Sequence, residues 1–241
     1  MRPLVIVKVG TTFPDTAGNL GDFEDWTRRG LEPTRCPVEV VAPCRGDLLP
    51  DLAALAGIIV TGSHDMVTDR AEWSERTGQW LAHAARAGVP VLGICYGHQL
   101  LAQALGGQVG FHPSGVEMGT VEIHLTPEGA NDPLFRGLPP TFNANASHHQ
   151  QVAVLPDDAV LLARNRFEPH HAFRVGPCAW GVQFHPEFDA AVMRSYIEHE
   201  AEDLRRDGLD PESILTAVAP TPVAASVLGR FADLAARNES P

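Results

Sequence analysis

The sequence predicts an α/β fold: an open, twisted, mainly parallel sheet with helices on both faces and added antiparallel strands. Three short apolar runs, at residues 4–9, 58–60 and 89–94, have the continuous hydrophobicity of strands that are buried on both faces. Amphipathic helical patterns follow the second and third runs, at residues 70–87 and 99–105. Strands that alternate with helices are typical of an open, wound sheet.

The first half of the chain carries the signals that separate these strands. Asp69 and Glu72 have the spacing of a capping box, so we expect a helix to begin there and to end at Gly88. The remaining predicted elements of this half are a helical piece near residues 22–29, a strand at Val38–Val41 and a short helix at 52–55.

From about residue 109 the pattern changes to short strands with turn signals, which favours antiparallel pairing. A helix is predicted at residues 189–204, and Pro222–Arg237 has the period of an amphipathic helix. We therefore expect a domain at residues 1–205 and a helical extension at 206–241 that packs on the domain or on a partner. The predicted strands lie at 121–125, 151–155, 160–163, Ala172–Val175 and 179–184.

Composition narrows the function classes. The 241 residues are 44% apolar, enough for a substantial core, and carry 18 Lys and Arg against 30 Asp and Glu, a net charge of −12. An acidic surface without a basic stripe repels phosphate backbones, so we expect no nucleic-acid partner. The sequence has no long uncharged apolar run, the first residues predict a strand, and the four cysteines lack CxxC spacing. We expect a cytoplasmic protein without a membrane span.

The most informative stretch places Cys95 between a strand and a helix. Gly93 and Gly97 flank it, which gives the G-x-nucleophile-x-G elbow with cysteine as the nucleophile. Side chains at the two glycines would collide with the neighbouring strand and helix in so tight a turn. The helix N-terminus beside the sulfur favours a thiolate, and the N–H of Tyr96 can donate to an oxyanion. A buried core cysteine is the alternative interpretation.

A cysteine nucleophile needs a base and a group that orients the base. His185 and Glu187 follow a predicted strand, and in extended chain both project to one side, with Pro186 stiffening the segment between them. Catalytic groups of open α/β sheets gather at the carboxyl ends of strands, where Cys95 also lies. The pattern predicts a catalytic site made of these three side chains.

These motifs resemble the class I glutamine amidotransferases, which use a Cys-His-Glu triad, and most closely the GMP synthase-like members that lack a fused synthetase. The resemblance covers most of residues 1–200 and implies a flavodoxin-like sheet. The motifs that carry it are GICYGHQ at 93–99 with LLAQALGG after it, GVQFHPEF at 181–188, GDFEDW at 21–26, IIVTGS at 58–63, LTPEGANDPLF at 125–135 and SHHQQVAVLP at 147–156.

The resemblance implies hydrolysis of the glutamine side-chain amide. Cys95 would form a γ-glutamyl thioester and release ammonia, His185 would move the protons, and Glu187 would hold His185. The N–H groups of Tyr96 and Ser63 would form the oxyanion hole. The implied substrate-binding positions are Gly62, Gly97, Gln99, Ser147 and His148. The substrate would be L-glutamine or a γ-glutamyl compound, no cofactor is implied, and ammonia would pass to a separate synthetase.

Two departures from the family pattern keep other functions open. The usual S/T-G-G-P loop reads Thr61-Gly62-Ser63-His64 here, and the usual Ser-His-Gly-Asp reads Ser147-His148-His149-Gln150, which loses a carboxylate. A stand-alone hydrolase of γ-glutamyl amides or peptides would use the same triad. A non-catalytic binding or regulatory module would keep the fold without turnover.

Histidine pairs and an acidic cluster offer further interpretations. Adjacent histidines of a strand point to opposite faces, so neither His148/His149 nor His170/His171, even with Glu168, is expected to chelate one metal ion. We predict no metal site. The acidic residues at 22–25 are expected to be the solvated start of a helix rather than a calcium site.

Overall fold

The computed structural model describes residues 1–237, which contain a nine-stranded sheet and a separate two-stranded sheet. The strands are β1 (Leu4–Val7), β2 (Val38–Val41), β3 (Gly57–Val60), β4 (Val91–Ile94), β5 (Gln108–Phe111), β6 (Glu117–Leu125), β7 (Thr141–His148), β8 (Gln150–Val154), β9 (Ala159–Arg164), β10 (Ala172–Val175) and β11 (Ala179–Val182). The helices are α1 (Pro14–Leu20), α2 (Phe23–Leu31), α3 (Glu72–Arg86), α4 (Tyr96–Ala104), α5 (Pro127–Asn131), α6 (Ala190–His199), α7 (Ala201–Arg206), α8 (Pro211–Ala217) and α9 (Pro222–Arg237).

The sheet has a parallel half and an antiparallel half, as the sequence predicts. Its order is β2-β1-β3-β4-β11-β10-β9-β6-β7. The first five strands are parallel, and from β11 onward each pair is antiparallel. The parallel half has the strand order of flavodoxin-like sheets. The predicted strand at residues 151–155 corresponds to β8, which pairs with β5 in a separate two-stranded sheet.

Alternate residues of the central strands feed two cores. Leu4 and Ile6 of β1 face a core completed by α2 and α9, whereas Val5 and Val7 face a core completed by α3 and α4. All four side chains are fully buried. Helices therefore cover both faces of the sheet, and this accounts for the uninterrupted apolar runs of the parallel strands.

Two local predictions at helix starts are wrong in detail. Asp69 does not cap α3; it ends a 3₁₀ turn, Arg70 takes a left-handed conformation, and Ala71 precedes the helix without a side-chain cap. The acidic residues at 22–25 do start α2, with Asp22 and Asp25 in a capping box. They are not simply solvated, because the ammonium of Lys8 lies 2.6 Å from carboxylate oxygens of both Asp22 and Glu24.

Helix α9 packs on the sheet through an apolar face. Leu228 and Phe231 are fully buried, and a Cβ on Gly30 of α2 would lie 2.3 Å from Leu228 Cδ1. The division of the chain at residue 205 stays a prediction, and residues 238–241 of the predicted extension lie outside the described residues.

We expect the variant Phe231→Ala to lower the free energy of unfolding by about 3–5 kcal/mol, because it leaves a cavity under α9. The ring is fully buried and lies edge-on to Trp180 at a centroid distance of 6.3 Å. Denaturant titration measures the change. The variant Leu209→Ala, at a side chain that is 38% exposed, is the control and should change stability by less than about 1 kcal/mol. Equal stabilities for the two variants would contradict a structural role of α9.

In residues 1–237 no single helix has the length and apolar character needed to span a bilayer. Helices α8 and α9 together are long and apolar enough to span a bilayer by length and composition alone, but the pair is bent by 67°.

Candidate active site

Cys95 occupies the sharp turn between β4 and α4. Its backbone has φ 49° and ψ −99°, a left-handed conformation that is strained for a residue with a side chain. A Cβ on Gly93 would lie 2.3 Å from the carbonyl oxygen of Gly97, and a Cβ on Gly97 would lie 2.6 Å from that of Val60. The turn therefore requires both glycines, as the sequence predicts, and the strand-turn-helix setting of Cys95 is the expected one.

His185 reaches Cys95 because β4 and β11 are parallel neighbours. Val182 of β11 lies opposite Ile94 of β4, and the N–H of Cys95 donates to the carbonyl of Val182 at 2.9 Å. The chain then continues to His185, whose N–H donates to the carbonyl of Asn145 at 2.8 Å. The carboxyl ends of the two strands bring the thiol and the imidazole into the wall of one cavity, where the interaction with Cys95 helps to raise the pKa of His185.

Glu187 and Phe188 hold the imidazole in place. Nδ1 of His185 donates to Oε1 of Glu187 at 2.7 Å, and both side chains are buried. The ring of Phe188 stacks on the imidazole at a centroid distance of 4.0 Å. Burial lowers the pKa of His185, but the charge of Glu187 and the interactions with Cys95 outweigh it and raise the pKa to about 10. His185 is therefore protonated at neutral pH.

A cavity of about 260 Å³ gives access to this group. Cys95 is only 6% exposed and lies in the cavity wall. Of the other predicted site residues, those in the wall are Ser63, Tyr96, Gln99, Ser147, His148 and His185, whereas Gly62, Gly97 and Glu187 are not among the lining residues.

Three predicted substrate-binding residues lie in the cavity wall, and they differ in their hydrogen bonds: Gln99, Ser147 and His148. The carbonyl of Ser147 accepts a hydrogen bond from the Cys95 thiol at 3.6 Å. The Gln99 amide donates to the carbonyl of Gln150 at 2.8 Å. His148 directs its side chain inward, with Nδ1 3.0 Å from the carbonyl of Gln150. The side chain of His148 is therefore already hydrogen-bonded, and substrate binding by this segment stays a prediction.

The two predicted oxyanion donors border the cavity from different elements. Tyr96 is the first residue of α4, so its N–H has no acceptor within the helix. Its phenol points away and bonds Ser74 at 2.6 Å. Ser63 follows β3, and its hydroxyl accepts a hydrogen bond from the N–H of Asp65 at 3.0 Å. A main-chain donor at each position is compatible with an oxyanion hole.

The cavity mouth contains residues that no sequence pattern predicts. Phe13 and Tyr196 form an aromatic wall with His64, whose Nε2 lies 3.2 Å from the Tyr196 hydroxyl. Two acidic residues, Glu200 and Asp203, also line the cavity. These residues come from separate segments of the chain, and no local spacing marks them.

The histidine pairs combine across the sheet in a way that the sequence interpretation does not consider. That interpretation treats each pair alone, but in the described residues one member of each pair, His148 and His171, meets Glu117 of β6 in a buried group. The prediction of no metal site therefore does not consider this group of three, whose members come from separate parts of the antiparallel half of the sheet.

Comparisons with known proteins agree with the geometry. Residues 19–203 match the family model for the class-I glutamine amidotransferases. One chain of the glutamine-hydrolyzing GMP synthase from Methanothermobacter thermautotrophicus is 33% identical over 174 residues, 70% of this chain and 85% of the relative. A gamma-glutamyl-L-1-hydroxyisopropylamide hydrolase from a Pseudomonas species is 32% identical over 165 residues, 65% of this chain and 55% of the relative.

Some relatives are much longer than the part that aligns with this chain. A GMP synthase from Aeropyrum pernix is 39% identical over 142 residues, which are 59% of this chain but only 25% of the relative. A crystal structure of a glutamine amidotransferase from Thermotoga maritima superimposes with a TM-score of 0.77 over 100% of both chains at 22% identity, which shows the shared fold. The family match covers most of the chain and includes the Cys95 elbow and His185. The chain belongs to the class-I glutamine amidotransferase family.

Proposed function

We propose that this chain hydrolyses the side-chain amide of L-glutamine through a thioester at Cys95 and supplies the ammonia to a separate synthetase. The observation that supports it most is that Cys95 and His185 lie in the wall of one cavity while Glu187 bonds His185 from behind. The Cys-His-Glu arrangement makes a nucleophile, a proton carrier and a group that orients the carrier.

In the proposed mechanism His185 already holds the proton as an imidazolium paired with the thiolate of Cys95, and the thiolate sulfur attacks the amide carbonyl. The N–H groups of Tyr96 and Ser63 stabilise the oxyanion, a contribution of typically ~10²–10³ in rate per donor. His185 then protonates the amine as the C–N bond breaks, which leaves a γ-glutamyl thioester on Cys95. Water, deprotonated by His185, hydrolyses the thioester, and glutamate and the free thiol are the products.

A stand-alone γ-glutamyl amide hydrolase is the second candidate, and a specific observation favours it. His185 protonates the departing amine, so a substituent on that amine would extend to the His185 side of the cavity. Tyr196 lies on this side, because its ring is 4.8 Å from that of Phe188, which stacks on His185. With Phe13 it forms an apolar wall that free ammonia does not need. The similarity to a γ-glutamyl amide hydrolase supports this candidate.

Glutamate release from glutamine and from γ-glutamyl amides with small N-alkyl groups separates the two candidates, because glutamate is the product that both substrates share. If the chain supplies ammonia to a synthetase, it should hydrolyse glutamine, and the rate should rise when a GMP synthase-type synthetase and its substrates are added. A stand-alone hydrolase predicts N-alkyl amide turnover without a partner and little glutamine turnover. Inactivity toward every compound, with and without the synthetase, would favour the non-catalytic module. Cys95→Ala supplies the blank.

The variant Gly62→Ala is expected to lower kcat by about 10- to 100-fold with little loss of stability, because small displacements of a positioned group are costly. An added Cβ would lie 2.9 Å from Cε1 of His185, so the ring must move. Steady-state kinetics and thermal unfolding measure the two effects. Gly110→Ala, at a site with no atom within contact distance, is the control. Unchanged kcat in Gly62→Ala would contradict the requirement for this ring position.

A further inference from the structure

We propose that Glu117, His148 and His171 bind a divalent transition-metal ion, with Zn²⁺ as the type ion, in a buried group of which His148 also lines the active-site cavity. The three residues come from β6, the end of β7 and the residue before β10. Their candidate ligand atoms all lie within 4.8 Å of one another. Their side chains are 7%, 1% and 0% exposed, so the group is shielded from bulk water.

The imidazoles converge on one carboxylate oxygen. Nε2 of His148 and Nε2 of His171 each lie 3.0 Å from Oε2 of Glu117. The ligand atoms of a tetrahedral Zn²⁺ site are separated by roughly 3–3.5 Å, because metal–ligand bonds are ~2.0–2.2 Å long. The two nitrogen–oxygen distances therefore fit a shared ion.

The contacts around His148 place its Nε2 next to a carboxylate. Its Nδ1 lies 3.0 Å from the carbonyl of Gln150, and a carbonyl only accepts, so Nδ1 carries a proton. Nε2 of the same ring lies 3.0 Å from Oε2 of Glu117. Oε1 of Glu117 already accepts from the amide of Asn165 at 2.7 Å. The second nitrogen of the ring is therefore next to the second oxygen of the carboxylate, and a cation held between these two atoms would be bound by both.

His171 supplies an independent observation. It is fully buried, and neither of its ring nitrogens has a hydrogen-bond partner, although Nε2 lies 3.0 Å from Glu117. The ring is close enough to the carboxylate but wrongly aimed for a hydrogen bond. Oε2 of the buried Glu168 also lacks a partner. Buried polar atoms without partners are costly, and a shared metal ion would satisfy the histidine.

The donor set selects the class of ion. Two imidazoles and one carboxylate suit Zn²⁺ and neighbouring transition metals, whereas Mg²⁺ and Ca²⁺ prefer oxygen ligands. The contacts of His148 Nδ1 with a carbonyl and of Glu117 Oε1 with an amide are those that orient metal ligands elsewhere. The ion would act as a positioning element, because it anchors His148 next to Ser147, whose carbonyl contacts the Cys95 thiol.

Cobalt titration of the chelator-treated full chain tests the proposal, followed by displacement with Zn²⁺. The Cys95→Ala variant is used throughout, so that metal bound by the catalytic thiol does not count. We expect one Co²⁺ per chain, with the visible absorption of four-coordinate cobalt and no thiolate-to-cobalt charge-transfer band. His171→Gln and Glu117→Gln should weaken binding at least ~100-fold, since loss of an outer contact alone costs ~10–100-fold. His170→Gln, whose Nδ1 bonds the carbonyl of Val152, should bind as before.

Three results would overturn the proposal. The first is a folded Cys95→Ala chain that binds neither Co²⁺ nor Zn²⁺ at micromolar metal. The second is unchanged stoichiometry and affinity in the Glu117→Gln or His171→Gln variant, and the third is a charge-transfer band that assigns the metal to Cys36, Cys44 or Cys178. If the Glu117→Gln or His171→Gln variant unfolds, the cobalt titration and the spectrum of the Cys95→Ala chain still show whether the metal ion binds and whether a thiolate coordinates it. Catalytic activity is not a readout, so the outcome is independent of the proposed function.

Discussion

Replacement of Cys95 by alanine is expected to lower kcat for ammonia release by roughly 10⁴- to 10⁶-fold, because loss of a nucleophile removes the covalent route. We expect the fold to be kept, because alanine retains the Cβ at the strained turn and the backbone N–H that donates to the carbonyl of Val182. A coupled assay for ammonia, with thermal unfolding as the check on folding, measures both properties.

Cys178→Ala is the matched control for this variant. Cys178 is a half-buried free cysteine just before β11, at the opposite end of the strand from His185. We expect full activity from it. Comparable rates from the Cys95→Ala variant and the unaltered chain would refute a thiol mechanism.

Replacement of Glu187 by glutamine is expected to lower kcat by about 10²- to 10⁴-fold, because a neutral amide no longer fixes and stabilises the imidazolium. It should also shift the alkaline limb of the pH–rate profile. In the unaltered chain we expect this limb near pH 10, because the pKa of His185 is raised to about 10 and above it His185 loses the proton it donates to the leaving amine. Without the carboxylate, burial lowers the pKa of His185 with less opposition, so the limb moves to lower pH.

Steady-state rates between pH 6 and about pH 11 test the shift. Asp189→Asn is a suitable control, because this carboxylate caps α6 and bonds only the N–H groups of Ala191 and Val192. Its alkaline limb should coincide with that of the unaltered chain. A Glu187→Gln profile with an unmoved limb would show that Glu187 does not set the pKa of His185.

The parallel half of the sheet and the triad could be predicted from the sequence because their signals are local. Uninterrupted apolar runs mark strands buried on both faces, and the glycines beside Cys95 are required by contacts of 2.3 Å and 2.6 Å within the turn. His185 and Glu187 lie two residues apart, so their contact follows from extended backbone.

Features formed by distant segments could not be predicted in this way. In β7 the apolar residues that alternate with polar ones are Phe142, Ala144 and Ala146, and because two of the three are alanines the apolar signal of this strand is weak. The capping prediction at Asp69 failed because Arg70 interrupts the helical backbone. The Glu117 group joins residues of different strands, and its members have no common spacing in the sequence.

Mass spectrometry of the acid-quenched reaction tests the central claim, covalent catalysis at Cys95, most directly. With glutamine or an active γ-glutamyl amide as substrate, the account predicts a γ-glutamyl group on the peptide that contains Cys95, formed as fast as turnover and absent from the Cys95→Ala variant. A chain that turns over substrate with no such adduct, or with the adduct on another cysteine, would contradict it.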